Sequence, residues 1–327
     1  MKAIQADRID SLADYAEVEA AMPEPRAGQV RIRVAAVGVG YVDALVALGR
    51  YQVKPPVPHV PGAEISGVID AVAEGVTGLA PGERVMALGS RGFAHYAASP
   101  AGMTVRLPAA LTFEQGAALP LNYLTALHGL GDRAAVAEGE TLLVMGAAGG
   151  VGLAAVQLGR AMGARVIAAA STEEKRAYAL AHGAHAVIDT ELQGWRDRLK
   201  TVLEGAPLKV VFDPVCGPLF EPAFRSLGWG GRHLVVGFVG GPIPALPANL
   251  TLMKGAALTG VDVRQFMLFE GPLARRHLET LAEWAEAGRF APPVGRVFKW
   301  ADFGEALTYA LSGQGLGKTV LSVTPEK

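Results

Sequence analysis

A glycine-rich turn between an apolar strand and a helix is the feature that most limits how this chain can fold. Residues 142–145 predict a buried strand, and the glycine-rich residues 146–152 follow it directly. An amphipathic helix is predicted at 152–162, and a second strand at Arg165–Ala169. Glycine lets backbone N–H groups approach a phosphate, and the positive end of the helix dipole favours negative charge. This context predicts a site for the pyrophosphate of a dinucleotide; the alternative is a close strand–helix contact without a ligand.

Size and composition narrow the class of protein. A chain of 327 residues predicts two domains or one large one, and half of its residues are hydrophobic, which suffices for a sizeable core. The formal charge is −1, so we expect no nucleic-acid partner. The single cysteine, Cys216, excludes a disulfide framework and a zinc site of several thiolates. With no signal-peptide pattern and no window near the ~20 apolar residues of a membrane span, we expect a cytoplasmic protein without a membrane partner.

The first third of the chain has the pattern of short β-strands. Turn signals such as Pro55-Pro56, Pro61-Gly62 and Pro81-Gly82 separate partly alternating apolar runs. The predicted strands are residues 2–9, 29–37, 64–72, 83–88, 93–98 and 104–107. Such punctuation is typical of a small barrel or sandwich.

Near Thr112 the pattern changes to strands that alternate with helices. Thr112 and Gln115 form a capping box that opens a helix, and a longer helix is predicted at 121–132. Later strands are predicted at 141–145, 165–169, 186–188, 210–213 and 232–237, with helices at 150–162, 172–182, 193–203 and 218–227. A second capping box, Ser171 with Glu174, is expected to open the helix at 172–182. This alternation predicts a parallel sheet covered by helices on both faces.

After about residue 260 the alternation ends. Helices are predicted at 272–287 and 301–311, followed by a last strand at 318–323. We predict that this tail returns to the first domain. Residues 1–120 and 262–327 would then form one discontinuous domain, and residues 121–261 a second domain inserted into it.

The end of the second strand of the inserted domain indicates which dinucleotide binds. An Asp or Glu there would accept hydrogen bonds from the ribose hydroxyls of NAD, but Ala170 and Ser171 follow the strand. Ser171 can donate to a 2′-phosphate, and Lys175 or Arg176 can reach it as a cation; the alternative for Lys175 is a solvated helix position. A charge-assisted hydrogen bond contributes roughly 1.5–3 kcal/mol. We therefore predict NADPH rather than NADH as the cofactor.

Further motifs lie along nearly the whole chain, at residues 38–43, 49–51, 61–67, 82–85, 118–126, 147–152, 212–215, 230–232, 236–238 and 317–318. Together they resemble the medium-chain dehydrogenase/reductase superfamily, and within it the zinc-independent NADPH:quinone oxidoreductases of the zeta-crystallin type. The resemblance implies an α/β protein with a GroES-like, β-rich substrate domain and a Rossmann domain, a doubly wound parallel sheet that binds NADPH, with the active site in the cleft between them. It also implies a homodimer through paired edge strands of the cofactor domain. The apolar segment 256–263 is either that edge or an inner strand.

The same resemblance argues against a metal. Zinc alcohol dehydrogenases of the superfamily carry a cysteine ligand where this chain has Gly40 and a histidine where it has Ala63. Glu64 alone cannot make a catalytic zinc site, which needs about three protein ligands. The cysteine-rich lobe that holds structural zinc is absent from the sequence, so we expect no metal.

Loss of zinc changes the expected chemistry, because zinc acts as a Lewis acid on an alcohol or carbonyl oxygen. Hydride transfer to a more electrophilic acceptor needs less help. We predict NADPH-dependent hydride transfer to a small-molecule quinone or enone. The alternatives are an enoyl-thioester or 2-alkenal reductase on the same scaffold and, in another class, an NADPH-binding protein with little catalytic activity.

The resemblance also assigns roles to residues. The catalytic candidates are Tyr41, Tyr51, Asn122 and Thr125. Tyrosine hydroxyls can hydrogen-bond an acceptor oxygen, with packing in the β-rich domain as the alternative. Asn122 either serves the substrate or caps its own helix, and Thr125 is placed beside the nicotinamide carboxamide.

The predicted cofactor contacts lie in both domains. They are Gly40, Tyr123, Thr125, Gly146, Ala148, Gly149, Gly150, Val151, Gly152, Ser171, Lys175, Val215, Phe238, Val239, Asn249 and Lys318. Lys318 is expected on the 2′-phosphate side, and the alternative for Asn249 is a turn or cap residue. Many quinone reductases have Asn at the position of Gly40, so a polar group is missing there. Cys216 is expected to be a packing residue rather than a nucleophile.

Overall fold

Two compact units make up the chain in the computed structural model, which describes residues 1–89 and 91–323. The discontinuous unit consists of Met1–Leu121 and Met267–Lys327, and the continuous unit is Asn122–Phe266. From the sequence, the second segment of the discontinuous unit was predicted to begin at residue 262. In the structure it begins at Met267, within a short helix that was not predicted. Within the described residues, every helix is too short or too polar to cross a membrane.

The bounds of the strands and helices are as follows. The strands are β1 (Lys2–Gln5), β2 (Ala16–Glu19), β3 (Gln29–Val39), β4 (Glu64–Val72), β5 (Arg84–Leu88), β6 (Tyr96–Pro100), β7 (Thr104–Arg106), β8 (Thr141–Met145), β9 (Arg165–Ala169), β10 (Ala186–Ile188), β11 (Leu208–Asp213), β12 (Leu227–Val235), β13 (Ala257–Gly260), β14 (Val294–Phe298) and β15 (Lys318–Ser322). The helices are α1 (Tyr41–Ala47), α2 (Phe113–Ala118), α3 (Pro120–Leu127), α4 (Gly150–Ala161), α5 (Glu173–Ala181), α6 (Trp195–Leu203), α7 (Phe220–Ser226), α8 (Asn249–Lys254), α9 (Val263–Phe269), α10 (Gly271–Glu286) and α11 (Phe303–Leu311). A π-helix, His128–Arg133, continues α3, and 3₁₀-helices occupy Leu12–Asp14, Ala101–Met103 and Trp300–Asp302.

The discontinuous unit is organised around the long strand β3. Its seven-stranded sheet has the order β14-β15-β3-β4-β5-β7, and β6 also pairs with β3. Both β15 and β4 run antiparallel to β3, with Thr319 opposite Val39 and Glu64 opposite Gly38. This register brings the start of β15, the end of β3 and the start of β4 to one end of the sheet. Side chains of β3 such as Ile32 and Val37 are buried in the core of the unit.

The continuous unit contains a six-stranded sheet in the order β10-β9-β8-β11-β12-β13, with parallel pairs throughout. In strand sequence this is 3-2-1-4-5-6, the doubly wound order of dinucleotide-binding folds. Every residue of β8 is buried, as its apolar sequence requires at the centre of a sheet covered on both faces. The predicted Rossmann-type parallel sheet is confirmed.

Several local predictions were wrong for identifiable reasons. The helix predicted at 121–132 changes to a π-helix at His128, where Gly129 and Gly131 weaken α-helical preference. The cap of α5 is Thr172 rather than Ser171, because the Thr172 hydroxyl accepts from the backbone N–H of Lys175. Helix α9 was not predicted from the sequence. Its apolar residues form no buried stripe, since Leu268 and Phe269 are exposed.

The capping box at Thr112 is confirmed, since Thr112 and Gln115 exchange both hydrogen bonds at the start of α2. For the apolar segment 256–263, the sequence left open whether it is an edge strand or an inner strand of the sheet. It contains β13, the last strand in the sheet order, so it is an edge and not an inner strand.

Candidate functional site

The glycine-rich turn joins the central strand β8 to α4. Gly146 has φ +59°, a left-handed conformation that glycine adopts without strain. A Cβ on Gly152 would clash with the carbonyl oxygen of Gly146, so glycine there lets the helix approach the turn closely. These two glycines fix the path of the backbone between strand and helix.

The N-terminus of α4 is left open for an anion. Gly149 is the N-cap residue and provides no side chain to accept from the first N–H groups of the helix. A Cβ on Gly149 would meet only the Gly146 carbonyl oxygen, at 3.5 Å. Free N–H groups and the helix dipole together suit a phosphate, so the residues present fit the predicted dinucleotide.

Asn122 lies against this turn. A Cβ added to Gly150 would lie 2.5 Å from Asn122 Nδ2, so the amide packs on the first residue of α4. The alternative in which Asn122 caps its own helix is wrong, because α3 begins at Pro120. Contact with Gly150 brings a candidate catalytic residue to the glycine-rich turn.

The loops after β11 and β12 meet beside the same turn. The Asp213 carboxylate accepts from the backbone N–H groups of Val215 at 2.9 Å and Cys216 at 2.8 Å. The Val215 carbonyl accepts from the N–H of Gly240 at 2.8 Å, and a Cβ on Gly146 would lie 2.9 Å from Val215 Cγ2. Val215 therefore contacts both the β8 turn and the β12 loop at the carboxyl edge of the sheet, where ligands bind in folds of this type. The exposed Phe238 and Val239 lie on the β12 loop.

Cys216 follows Val215 but is a poor nucleophile. Its side chain is fully buried, and burial together with Asp213 raises the pKa of the thiol to about 12. Thiolate is therefore scarce at neutral pH, in agreement with the packing role expected from the sequence.

An arginine side chain folds onto the end of β9, and the residues that directly follow the strand, Ala170 and Ser171, are not acidic. Arg176 donates to the carbonyl of Ala170 at 3.1 Å, which holds the cation at the strand end. Ser171 is exposed and Lys175 is half-buried. Only Lys175 of these two cations was among the predicted cofactor contacts. The structure shows that Arg176 folds back onto this strand. The roles of Ser171 and Lys175 stay predictions.

Three further predicted site residues are Tyr123, Thr125 and Asn249, which lie on α3 and α8. The Tyr123 ring is 2% exposed and its hydroxyl donates to Gln157, so the side chain packs α3 against α4. Thr125 is buried on α3. Asn249 is the first residue of α8, after the cap residue Ala248, so its alternative role as the cap is wrong. Their contacts to a cofactor stay predictions.

In the discontinuous unit, the converging ends of β15, β3 and β4 gather a buried charged cluster. Lys318 and Glu64 form an ion pair, with side chains 5% and 0% exposed. The other Glu64 oxygen accepts from the N–H of Leu121 at 3.0 Å. Asp43 accepts from the N–H groups of Gly40 at 2.8 Å and Ala63 at 3.2 Å. None of these contacts was predicted from the sequence.

Burial controls the electrostatics of the cluster. It raises the pKa of Glu64, and the Lys318 ammonium opposes that shift. Burial likewise raises the pKa of Asp43 against the same ammonium. The expectation that Lys318 serves a 2′-phosphate needs correction here, because a buried ammonium that pairs with Glu64 is not free to act as a surface cation.

The residues around Gly40 do not fit a zinc ion. A Cβ on Gly40 would lie 3.3 Å from Lys318 Nζ, so a ligand side chain at that position would meet an ammonium. Glu64 is already engaged by Lys318 and Leu121. Within residues 1–89 and 91–323, no group of three or more His, Cys, Asp or Glu side chains is arranged to hold a metal.

The candidate tyrosines lie near this cluster in the chain. Tyr41 is the first residue of α1, directly after Gly40, and Tyr51 lies in an irregular segment after Gly49. Both side chains are half-buried. Their contact with a substrate stays a prediction.

Comparisons with known proteins agree with this architecture. Residues 26–109 match the family described as alcohol dehydrogenase GroES-like domain, and residues 150–279 match zinc-binding dehydrogenase. The bovine (Bos taurus) protein named quinone oxidoreductase-like protein 2 is 32% identical over 94% of this chain and 88% of its own length. The chain belongs to the quinone oxidoreductase family of medium-chain dehydrogenase/reductases. The predicted family and the GroES-like domain are thereby confirmed.

Two solved structures are similar to this protein over almost the whole chain. The quinone oxidoreductase from Thermus thermophilus, solved with and without NADPH, is 34% identical with a TM-score of 0.84 and covers 99% of this chain and 100% of its own. The CurK enoyl reductase is 25% identical with a TM-score of 0.88 and covers 98% of both chains. Membership of this family makes the protein an oxidoreductase.

Proposed function

We propose that this protein reduces quinones and related conjugated carbonyls with NADPH, and that zinc takes no part. The observation that carries the proposal is the ion pair between Lys318 and Glu64 beside Gly40. Where zinc enzymes of the superfamily polarise an alcohol oxygen, this chain has a glycine, an alanine and a neutralised carboxylate. The acceptor must therefore be electrophilic enough to need no Lewis acid.

NADPH binding is proposed from the continuous unit. The N–H groups at the start of α4, those of Gly150 and Val151, would hold the pyrophosphate, with the Val215 and Phe238 loops beside them. Ser171, Lys175 and Arg176 would hold the 2′-phosphate at the end of β9, where Ala170 and Ser171 stand in place of an acid. The NADPH complex of the Thermus relative supports this choice of cofactor.

The dinucleotide supplies a hydride when it is bound, and the protein positions and polarises the acceptor. We assign the hydroxyls of Tyr41 and Tyr51 to donate hydrogen bonds to the acceptor oxygen and their rings to form an apolar wall. Thr125 and Asn122 are assigned to orient the reacting groups, since Asn122 packs on Gly150. The reduced acceptor takes its proton from solvent, so a quinone leaves as a hydroquinone.

An enoyl-thioester reductase is the second candidate, and the likeness to the CurK enoyl reductase favours it. Both candidates use the same scaffold. NADPH oxidation measured with 9,10-phenanthrenequinone, 1,4-benzoquinone and crotonyl-CoA, with NADH in parallel, separates them. Higher kcat/KM for the quinones supports our proposal, and higher kcat/KM for crotonyl-CoA supports the alternative. Tight NADPH binding without turnover of any acceptor contradicts both.

We also propose that the protein is a cytoplasmic homodimer formed through β13. This edge strand carries Leu258, and Trp229, Leu252 and Met253 are 79%, 83% and 70% exposed on the neighbouring β12 and α8. Exposed apolar side chains beside an unpaired strand edge favour pairing with a second copy. Light scattering should give twice the chain mass, and Leu258→Lys should shift it to monomer while Leu180→Lys, an exposed leucine on α5, should not.

A further inference from the structure

The Asp213 carboxylate holds the start of the loop that follows β11 through hydrogen bonds to its backbone. One oxygen, Oδ1, accepts from the N–H groups of both Val215 and Cys216. The backbone carbonyl of Asp213 accepts from the N–H of Val236 at 3.0 Å, which ties the start of the β12 loop to the same residue. Asp213 is 1% exposed, so these bonds form out of contact with solvent.

His233 holds the other oxygen of this carboxylate. Its Nε2 lies 3.1 Å from Asp213 Oδ2, and the ring is 0% exposed. The carboxylate accepts and cannot donate when it is ionised, so the proton must lie on Nε2. Nδ1 then has a lone pair rather than a hydrogen. It has no hydrogen-bond partner among the described residues, and this tautomer leaves no buried donor unpaired.

Two aromatic rings hold the imidazole in place. Phe220 and Phe224 of α7 lie with ring centroids 4.7 Å and 6.1 Å from that of His233. The ring therefore has a single orientation, with Nε2 directed at Asp213. With its ring held in this way, His233 favours the rotamer of Asp213 in which Oδ1 accepts from the N–H groups of Val215 and Cys216.

We propose that His233 is a positioning residue for the cofactor site. It acts through Asp213 to order the Val215–Gly217 loop, whose Val215 contacts the β8 turn and the Gly240 loop. The inference rests on the proposed function in one respect, the assignment of Val215 to NADPH. The ordering of the loop by His233 is independent of that assignment.

Three variants test the proposal. His233→Leu removes the donor, His233→Gln keeps an N–H near the position of Nε2, and Phe224→Leu loosens the same packing but keeps the hydrogen bond. For each variant we would measure the Kd for NADPH, the melting temperature and the hydrogen exchange of the peptide that contains Val215 and Cys216. Binding is measured well below the melting temperature of the least stable variant.

We expect His233→Leu to raise the Kd for NADPH about tenfold and to speed exchange in the Val215–Cys216 peptide, because a buried carboxylate oxygen loses its donor. His233→Gln should restore both within about threefold. Phe224→Leu should lower the melting temperature and leave the Kd within about twofold of wild type.

Unchanged exchange in His233→Leu, or an equal rise of the Kd in Phe224→Leu, would overturn the positioning role. If wild-type protein does not bind NADPH, the proposed function fails, and the exchange of the loop still decides the role of His233. If wild type binds and exchange responds without any change in Kd, the loop is ordered by His233 but does not serve the cofactor, which overturns the proposal as stated.

Discussion

Lys318 and Glu64 form an ion pair in which the ammonium is 5% exposed and the carboxylate is fully buried. They come from strands that flank β3 on opposite sides, and Gly40 follows β3 at the same end of the sheet. The ammonium of the pair thus lies beside Gly40, the position at which the family resemblance places a cysteine ligand in the zinc enzymes of the superfamily.

Loss of either partner of this pair should be costly. We expect Lys318→Met to lower the free energy of unfolding by about 3–5 kcal/mol, because an unpaired carboxylate stays buried. The double variant Glu64→Gln with Lys318→Met should lose less than the sum of the single variants. Urea unfolding measures these changes, with Arg225→Ala as control, since the Arg225–Glu221 pair, with side chains 42% and 39% exposed, contributes less than about 1 kcal/mol. Additive losses in the double variant would contradict the pairing.

The glycine at position 152 should be required by packing. Gly152→Ala places a Cβ against the Gly146 carbonyl oxygen, and we expect it to lower the free energy of unfolding by about 1–3 kcal/mol. It should also weaken NADPH binding, because α4 and the turn must separate. Gly304→Ala is the matched control, since a Cβ there meets no atom within 4 Å. An equal effect of both variants would contradict the role of the close contact.

Lys175 should discriminate between the two nicotinamide cofactors. We expect Lys175→Ala to raise the Kd for NADPH about tenfold and to leave the Kd for NADH nearly unchanged, because only NADPH carries the 2′-phosphate. Lys200→Ala, on the exposed face of α6, is the control and should change neither. Titration of cofactor fluorescence at fixed salt measures both constants. A parallel loss for the two cofactors would exclude a contact with the 2′-phosphate.

His59 should make the protein sensitive to mild acid. Burial, together with Arg91, lowers the pKa of His59 to about 4 from the ordinary value near 6.5. Nδ1 of the neutral ring lies 2.6 Å from the Tyr15 hydroxyl, which itself donates to the carbonyl of Ala47. The unfolded chain binds a proton on this ring below pH 6.5 and the folded chain does not, so stability falls between pH 6.5 and about 4.

His59→Gln should remove part of this pH dependence, so the stability of the variant relative to wild type should be higher at pH 5 than at pH 8. Thermal melts at both pH values measure the difference. His182→Gln, a half-buried histidine at the end of α5, is the control and should retain the dependence. A His59→Gln variant with the full wild-type slope would contradict the assignment.

The parts of the fold that the sequence predicted well are those whose signals are local. The strand β8, the turn after it and the cap at Thr112 each depend on residues within a few positions of one another, so apolar runs, glycines and a capping pair suffice. The absence of an acid after β9 is equally local, and it directed the choice of NADPH. Short elements with exposed apolar residues, such as α9, carry no such pattern.

The missing parts of the candidate site depend on partners that are distant in sequence. Lys318 meets Glu64 only because β15 and β4 both flank β3, and His233 meets Asp213 only because β12 pairs with β11. No sequence motif around Lys318 or His233 indicates which residue each of them contacts. Tyr123 is a third case: its position in a family motif predicts a cofactor contact, and only the structure shows that the ring is buried and that its hydroxyl donates to Gln157.

Turnover without metal tests the central claim most directly. NADPH oxidation by 1,4-benzoquinone, corrected for the uncatalysed reaction, is measured before and after removal of metals with 1,10-phenanthroline, with metal content determined on the same samples. We predict an unchanged kcat with far less than one zinc per chain. Loss of turnover on chelation, restored by added zinc, would contradict the account.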